Sequence, residues 1–173
     1  MDAKFPTPPF RCSECDEIHH ELPDVGYREP AYCFGVPEKE WSQRIHLSSD
    51  TCVIDNEHFF VRGVMQFPVL GTSETFNWGV WSTLSKANFD RYVEHYDADL
   101  SSWEPMFGWL SNRLPGYSDT LALPLTVRTQ QKGKRPLFTS EDAAHPLTQD
   151  QRAGITIEKW WEIVGPVLHQ GDR

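Results

Sequence analysis

The sequence predicts an α+β domain, in which a central antiparallel sheet has helices packed around it and an N-terminal Cys/His metal clip is attached. Three observations favour this class. Runs of β-branched and aromatic residues are concentrated between residues 51 and 84, and segments with apolar residues at helical spacing follow them. The third is the pattern Cys12-x-x-Cys15-x-x-x-His19, with a further thiol at Cys52. Thiolates and imidazoles at such spacing are typical of metal sites.

Length and composition indicate one domain with a substantial core. The chain has 173 residues, of which 13% are aromatic, so its apolar area can offset the entropy lost on ordering. We expect residues 1–11 to form a flexible Pro-rich arm and residues 12–173 a single domain that includes a zinc-knuckle-like segment, 12–52. No apolar run approaches the roughly 20 residues needed to cross a bilayer. The N-terminus has no apolar core of a secretory signal, which favours a cytoplasmic location with reduced thiols.

The net charge of −9 limits the classes of partner. A polyanion would be repelled by the field of such a chain, so nucleic-acid binding is not expected. The basic stretch from Arg128 to Arg135 is predicted to be a solvated loop. A partner, if there is one, is expected to be another protein, and the sequence leaves the oligomeric state open.

The first elements are a helix and a hairpin. Pro37 suits the first turn of a helix from Glu38 to Leu47. Thr51–Ile54 and His58–Arg62 are β-rich runs that flank Asp55-Asn56-Glu57, which is typical of a hairpin.

A second strand pair and a helix come next. Gly63 is predicted to be a bulge or bend, and Val64 to Leu70 to extend or follow the hairpin. Phe76 to Leu84 alternates as a strand, with Gly79 allowing a close neighbour. Ser85 is predicted to cap a helix that runs to about Tyr96.

The C-terminal part is predicted to contain three helices and a strand. Pro105 to Tyr117 is expected to be a short helix stopped by Pro115-Gly116. Leu121 to Thr129 is expected to be a strand. His145-Pro146 opens a helix that Gly154 ends, and Thr156 caps the last one.

The metal clip is the most specific site that the residues predict. Cys12 and Cys15 can face one ion from a tight turn, His19 can return from the next turn of chain, and Cys52 would supply the fourth bond. A Cys₃His set is a common structural zinc site, and four protein ligands leave no open position for catalysis. The ion would join the N-terminal segment to the first strand of the hairpin.

Other interpretations of the cysteines stay open. Cys33 and His20 are competing ligands for the proposed zinc. The thiols could instead be reduced, buried and packed as small apolar groups, or paired in a disulfide. A redox role for Cys-x-x-Cys is disfavoured, because a reactive thiolate needs a positive environment and Glu14, Asp16 and Glu17 are negative.

Five further residues are candidates for a ligand or partner surface. His145 could act as an acid or base, although a His before a helix-starting Pro more often caps the backbone. Arg62 follows an apolar strand and is expected to pair with a carboxylate or to bind an anion. Trp81, Trp103 and Trp109 could line a pocket or interface, whereas most Trp residues in such a domain are core. No nucleophile elbow, Walker loop or dinucleotide-binding motif accompanies them.

Eight motifs carry a resemblance to a bacterial family, and the resemblance runs from about Phe10 to Leu168. The motifs are Cys12-x-x-Cys15-x-x-x-His19, Asp50-x-Cys52-Val53-Ile54-Asp55 with Phe59-Phe60-Val61-Arg62-Gly63, Trp78-Gly79-Val80-Trp81, Phe89-x-x-Tyr92, Phe107-Gly108-Trp109-Leu110, Leu114-Pro115-Gly116-Tyr117, His145-Pro146-Leu147 and Gln151-Arg152-x-Gly154-Ile155. On these residues the chain resembles the family known as domain of unknown function 2199. Members often carry Gly after the second cysteine, where this chain has Asp16. The resemblance implies no activity.

The sequence therefore supports several hypotheses about function. The first is a small cytosolic bacterial protein with structural zinc and a binding or interaction role. The alternatives are an immunity-type protein that neutralises a toxin, and an enzyme with an unrecognised site around His145 and Arg62.

Overall fold

The computed structural model describes residues 5–168, which contain ten β-strands and four α-helices. The strands are β1 (Phe10–Arg11), β2 (Ile18–His19), β3 (Val25–Gly26), β4 (Ile45–Leu47), β5 (Thr51–Ile54), β6 (His58–Pro68), β7 (Thr75–Leu84), β8 (Met106–Trp109), β9 (Pro124–Arg128) and β10 (Leu137–Ser140). The helices are α1 (Trp41–Arg44), α2 (Lys86–Glu94), α3 (Pro146–Ala153) and α4 (Ile157–Val164). Short 3₁₀ turns span Ala31–Gly35, Glu38–Glu40 and Gly165–Val167.

Eight of these strands form one mixed sheet. Its order is β3-β7-β6-β10-β9-β8, and β5 pairs with both β6 and β4. The α+β prediction is confirmed, but the sheet is mixed rather than purely antiparallel, because β3 runs parallel to β7 and β10 parallel to β6. The two strands of each parallel pair are far apart in the chain, as parallel pairing requires and a hairpin cannot provide.

The hairpin of β6 and β7 is the centre of the sheet. Its register runs from Phe59 opposite Leu84 to Pro68 opposite Thr75. Alternate residues of both strands point into the main core, where the side chains of Met65, Phe67, Phe76 and Trp78 are fully buried. The helices α2 and α3 both contact β6. This alternation follows from the period of two along a strand.

The strands β7, β6, β10, β9 and β8 close into a ring. Leu110, which follows β8, forms an isolated antiparallel bridge with Ser82 of β7. The backbone amide of Ser111 donates to the carbonyl of Trp81 at 2.8 Å. β8 therefore lies beside β7 as well as β9, and the ring encloses the main core.

The predicted hairpin turn is confirmed, but the predicted bulge is wrong. Asp55 and Asn56 both have positive φ, 54° and 56°, as a turn matched to the twist of the strands requires. Gly63 pairs with Val80 in regular register. A Cβ at Gly63 would overlap the ring of Phe138, so its lack of a side chain makes room for that ring rather than for a bend.

Two predicted helices are corrected by the structure. The helix expected from Glu38 to Leu47 is a 3₁₀ turn, Glu38–Glu40, and the single turn of α1, after which Ile45–Leu47 is a strand. The segment from Pro105 begins with β8 rather than a helix. Met106 and Gly108 are buried while Phe107 and Trp109 are exposed, an alternation that only a strand provides.

The other three helices begin where the sequence predicts. The hydroxyl of Ser85 accepts from the amide of Asn88, and that of Thr156 accepts from Lys159, at the starts of α2 and α4. Gly154 ends α3 with φ of 96°, a conformation that glycine adopts without a steric penalty.

The N-terminal hairpin of β1 and β2 is a separate two-stranded sheet. The predicted arm, 1–11, includes Phe10 and Arg11 of β1, whereas residues 1–4 of the arm and 169–173 of the predicted domain lie outside the described residues. Across residues 5–168 there is no helix with the length and apolar character that a bilayer span needs.

Candidate functional site

Three of the four predicted metal ligands lie together at the N-terminal hairpin. One donor atom from each of Cys12, Cys15 and His19 lies within 4.8 Å of the others. The Sγ of Cys15 is 3.3 Å from Nε2 of His19. Cys12 is buried, His19 is half-buried and Cys15 is exposed, so the cluster has a shielded side and an open side.

The backbone of the hairpin brings these donors together. Phe10 pairs with His19 across the two strands. Beyond the strands, the amide of Cys12 donates to the carbonyl of Glu17 at 2.8 Å, which closes the loop that carries both thiols. The amide of Glu14 donates to Sγ of Cys12 at 3.4 Å. Such a bond is stronger to a thiolate than to a thiol, so this backbone is suited to a deprotonated, metal-bound sulfur.

Asp16, the residue after the second cysteine, adopts a left-handed backbone conformation. Its φ is 59°, the left-handed region that Asp and Asn enter more readily than most residues. Nη1 of Arg11 donates to the carbonyl oxygen of Asp16 at 2.7 Å and to its Oδ1 at 3.1 Å. These bonds hold Asp16 in the turn that carries both thiols.

Cys52, the fourth predicted ligand, is not in this group. Its Sγ lies 3.8 Å from Sγ of Cys33, and both side chains are fully buried. They belong to a second core cluster, in which Trp81 is also fully buried. The hydrogen bond with Cys33 and burial raise the pKa of the Cys52 thiol above its usual value, so this thiol is protonated at neutral pH. Cys33, the competing ligand, is thus the neighbour of Cys52.

The remaining set of two sulfurs and one imidazole nitrogen is suited to a soft or borderline divalent ion. Zinc prefers these donors, and three protein ligands leave one tetrahedral position for an external donor. The backbone amide of Glu17 lowers the pKa of Cys15, but burial and the thiol of Cys12 outweigh it and leave the pKa raised. The raised pKa means that this loop does not stabilise a reactive redox thiolate at Cys15.

The hairpin contacts the body of the protein through aromatic rings. The ring of Phe10 stacks on His19 with centroids 5.4 Å apart, and its edge meets Trp161 of α4 at 5.0 Å. Nε1 of Trp161 donates to the carbonyl of Pro6 at 2.9 Å. A candidate ligand, His19, is thus packed in a ring stack that reaches α4.

His145 has both ring nitrogens engaged with the backbone. Its Nδ1 accepts from the amide of Leu147 at 3.1 Å, which caps α3, and Nε2 lies 2.7 Å from the carbonyl of Ser118. Nε2 must therefore carry the proton. This arrangement supports a structural role rather than acid–base chemistry.

The guanidinium of Arg62 lies on the opposite face of β6 from the main core. Within residues 5–168 its side chain makes no hydrogen bond or ion pair, and its Nε is buried without an acceptor. Burial and the nearby charge of Arg135 lower the pKa of Arg62, and Asp50 opposes them. The expected carboxylate partner is absent from the described residues, because Asp50 instead accepts from Nε of Arg135 at 2.6 Å.

The three candidate Trp residues lie in different environments. Trp81 is in the second core cluster. Trp103 is half-buried, with Cζ of Arg91 3.8 Å from its ring centroid. Trp109 is 44% exposed, next to Phe107 at 54%, and their rings meet edge to face at 4.8 Å. The structure therefore does not bring the five candidate surface residues together.

Sequence reasoning missed the cations that surround one groove. Lys134 and Arg135, in the predicted solvated loop, line a cavity of about 400 Å³ on the outer face of the sheet. The sequence did show the basic residues between Arg128 and Arg135. It did not show that they lie near Arg62, because that depends on the pairing of β10 with β6. The lining residues are Asp24, Val64, Gln66, Asn77, Gln130, Lys134, Arg135 and Leu137.

Comparison with known proteins gives one relationship. No curated protein and no solved structure matches the chain. A family described as "Uncharacterized protein conserved in bacteria (DUF2199)" matches residues 11–155, which include the candidate metal ligands, Arg62 and His145. Because this match covers most of the 173 residues, the chain belongs to this bacterial family of uncharacterised proteins.

Proposed function

We propose that the protein binds a zinc ion through Cys12, Cys15 and His19, and that the ion holds the N-terminal hairpin in its folded form. The observation that carries the proposal is the distance of 4.8 Å or less between the three donor atoms. The hydrogen bond that the backbone amide of Glu14 donates to Sγ of Cys12 gives further support.

The size of the hairpin explains why an ion would be needed. β1 and β2 contain two residues each, and such a short hairpin is not stable alone in water. Binding energy from a structural metal is folding energy, because the unfolded chain has no preformed site. The stack of Phe10 with His19 and Trp161 would transmit this order to α4.

The fourth position of the zinc is proposed to take an external donor such as water. Cys52 is buried beside Cys33, and the exposed side of Cys15 faces solvent. The site would thus differ from the closed Cys₃His set that the sequence predicts, and it would leave the ion accessible to a small ligand.

The experiment is metal analysis of protein purified without chelator. We expect about one zinc per chain in the wild type, with loss of the metal in Cys12→Ser and His19→Gln. His20→Gln is the matched control, because His20 is the exposed neighbour and lies outside the cluster. Zinc should also raise the midpoint of thermal unfolding, and a chelator should lower it. The proposal would be contradicted if the protein retained no zinc after dialysis and if neither zinc nor chelator changed its midpoint of thermal unfolding.

An interaction role is favoured by the exposed aromatic pair of Phe107 and Trp109. Such rings are enriched where proteins contact one another. We expect a protein partner to be retained by the wild type and lost by the Phe107→Ser/Trp109→Ser variant in affinity purification from the source bacterium. Phe34→Ser is the control, since Phe34 is 70% exposed but lies elsewhere on the surface, with its ring tilted against Trp41 at a centroid distance of 6.4 Å. Equal retention by all three proteins would exclude this surface.

A further inference from the structure

Arg62 is a half-buried cation without a partner. In the part of the chain that the structure describes, no carboxylate or carbonyl accepts a hydrogen bond from its guanidinium, and Nε is inaccessible and unsatisfied. Removing a charge from water is unfavourable unless a counter-charge or hydrogen bonds replace the water. An unpaired guanidinium of this kind calls for an external acceptor.

The guanidinium of Arg62 lies against the backbone of two glycines. Nη2 of Arg62 would lie 3.1 Å from a Cβ placed on Gly26 of β3 and 3.9 Å from one placed on Gly79 of β7. The side chain therefore extends from β6 across β7 towards β3 over two glycines. Glycine at both positions makes room for the guanidinium itself, which a side chain at Gly26 would displace.

The neighbouring groove adds positive charge. The amide of Val64 donates to the carbonyl of Pro136 at 2.9 Å, which fixes Lys134 and Arg135 beside the strand that carries Arg62. Lys134 is exposed and has no ion pair among residues 5–168.

The two carboxylates near the groove are already engaged. Asp50 accepts from Arg135, and Asp24 accepts from the amide and the side chain of Asn77 at 2.9 Å and 3.1 Å. Arg62 and Lys134 therefore have no carboxylate bonded to them among residues 5–168, whereas Asp24 is held by neutral donors and keeps its negative charge at one side of the groove.

We propose that Arg62 and the groove beside it together bind an oxyanion, the phosphate or carboxylate group of a small molecule. Arg62, which lies two residues from Val64 of the groove lining, would be the principal donor, and Lys134 of the lining would be a second cation. A guanidinium presents parallel N–H donors that match two oxygens of either group. Gln66 and Gln130 line the same groove. Each side-chain amide already donates one N–H, to Oδ1 of Asn77 and to the carbonyl of Arg135 respectively, and has a second N–H that an anion could accept. The overall acidity of the chain would disfavour nonspecific anion binding, so affinity must come from this local arrangement.

The test is titration of the full chain with inorganic phosphate and, separately, with acetate, followed by amide chemical shifts in NMR spectra. We expect saturable shifts at β3, β6 and β7, with affinity reduced about tenfold or more in Arg62→Gln. Arg152→Gln is the charge-matched control, because Arg152 is exposed and lies on α3 rather than on the strands that carry Arg62 and its glycine neighbours. Preference for phosphate or for acetate identifies which oxyanion the groove takes.

A second pair of variants separates position from charge. Gly26→Ala keeps Arg62 but moves its Nη2, and should weaken binding, whereas Gly35→Ala, which meets no atom within 4 Å, should not. Arg62→Met tests folding, since an arginine without a partner can be removed with an unchanged or raised thermal midpoint.

Three results would overturn the proposal. These are no saturable shift with either anion, equal weakening in Arg62→Gln and Arg152→Gln, or a large drop in the thermal midpoint of Arg62→Met. The metal content of these variants is measured in parallel, so the outcome is independent of the zinc proposal.

Discussion

The sulfurs of Cys33 and Cys52 lie 3.8 Å apart in a fully buried cluster. Cys52 therefore packs the 3₁₀ turn Ala31–Gly35 against β5. The N-terminal hairpin reaches the body of the protein by a different route, through Phe10 and Trp161.

Cys52→Ala is predicted to leave the zinc content unchanged. The substitution removes one buried sulfur, so we expect a loss of about 1 kcal/mol in the free energy of unfolding. Metal analysis and urea unfolding check the two parts, with Cys12→Ser as the comparison. A loss of zinc equal to that of Cys12→Ser would show instead that Cys52 is the fourth ligand.

Phe10→Ala is predicted to weaken zinc binding without removing a ligand. The ring holds His19 by stacking and contacts Trp161 by its edge, and a half-buried phenylalanine should contribute about 2 kcal/mol to stability. Competition with a chromogenic chelator measures the affinity, and thermal unfolding measures the stability. Phe34→Ala should change neither, and an unaltered affinity in Phe10→Ala would separate the stack from the metal site.

Asp50→Asn is predicted to change how stability depends on pH. Although burial opposes its ionisation, the bonds from Arg135, Ser49 and Tyr96 hold the pKa of Asp50 below its usual value. A carboxyl whose pKa is lower in the folded state stabilises the fold above the unfolded pKa of about 3.9, and this contribution is lost as the pH falls through the folded pKa.

We therefore expect Asp50→Asn to cost about 1–3 kcal/mol at pH 7, and the difference from wild type to shrink below about pH 4. Urea unfolding at neutral and acid pH checks this, with the exposed Asp97→Asn as control. A difference that stays constant with pH would mean that the carboxylate charge is not the source of the stability.

Gly63→Ala is predicted to destabilise the ring of strands by about 1–3 kcal/mol. The added methyl group would overlap the ring of Phe138, so the central strand or β10 must shift. Replacing Phe138 with Leu in the same chain should recover part of the loss, which is a coupling that a double-mutant cycle measures. Gly35→Ala is the control, and purely additive effects would contradict the close contact.

The features that the sequence predicted well are those fixed by local chemistry. The Asp55-Asn56 turn needs positive φ at both residues, and Asn and Asp are among the few residues that supply it. Ser85 and Thr156 accept hydrogen bonds within three residues of themselves. The proximity of Cys12, Cys15 and His19 follows in the same way from their spacing in one short hairpin.

The features that were missed depend on residues far apart in the chain. Gly108 lies in a strand because β8 pairs with β9. It has no side chain because Ser82 and Thr83 occupy the space that a Cβ would need, and no local pattern reveals that contact. The position of Cys52 depends on where the turn with Cys33 folds back. Arg62 has no bonded carboxylate among the described residues, because Asp50 accepts from Arg135 instead. Asp50 and Arg135 are 85 residues apart in the chain.

The bridge between Ser82 and Leu110 also has a consequence for behaviour in a crowded cell. Because the ring is closed, its long strands offer few unpaired backbone groups to another chain. The edge strands of the sheet are β3 and β4, which contain two and three residues. Edge strands this short are poor templates for the edge-to-edge pairing that begins aggregation. We therefore expect the protein to resist aggregation at high concentration despite its many aromatic residues.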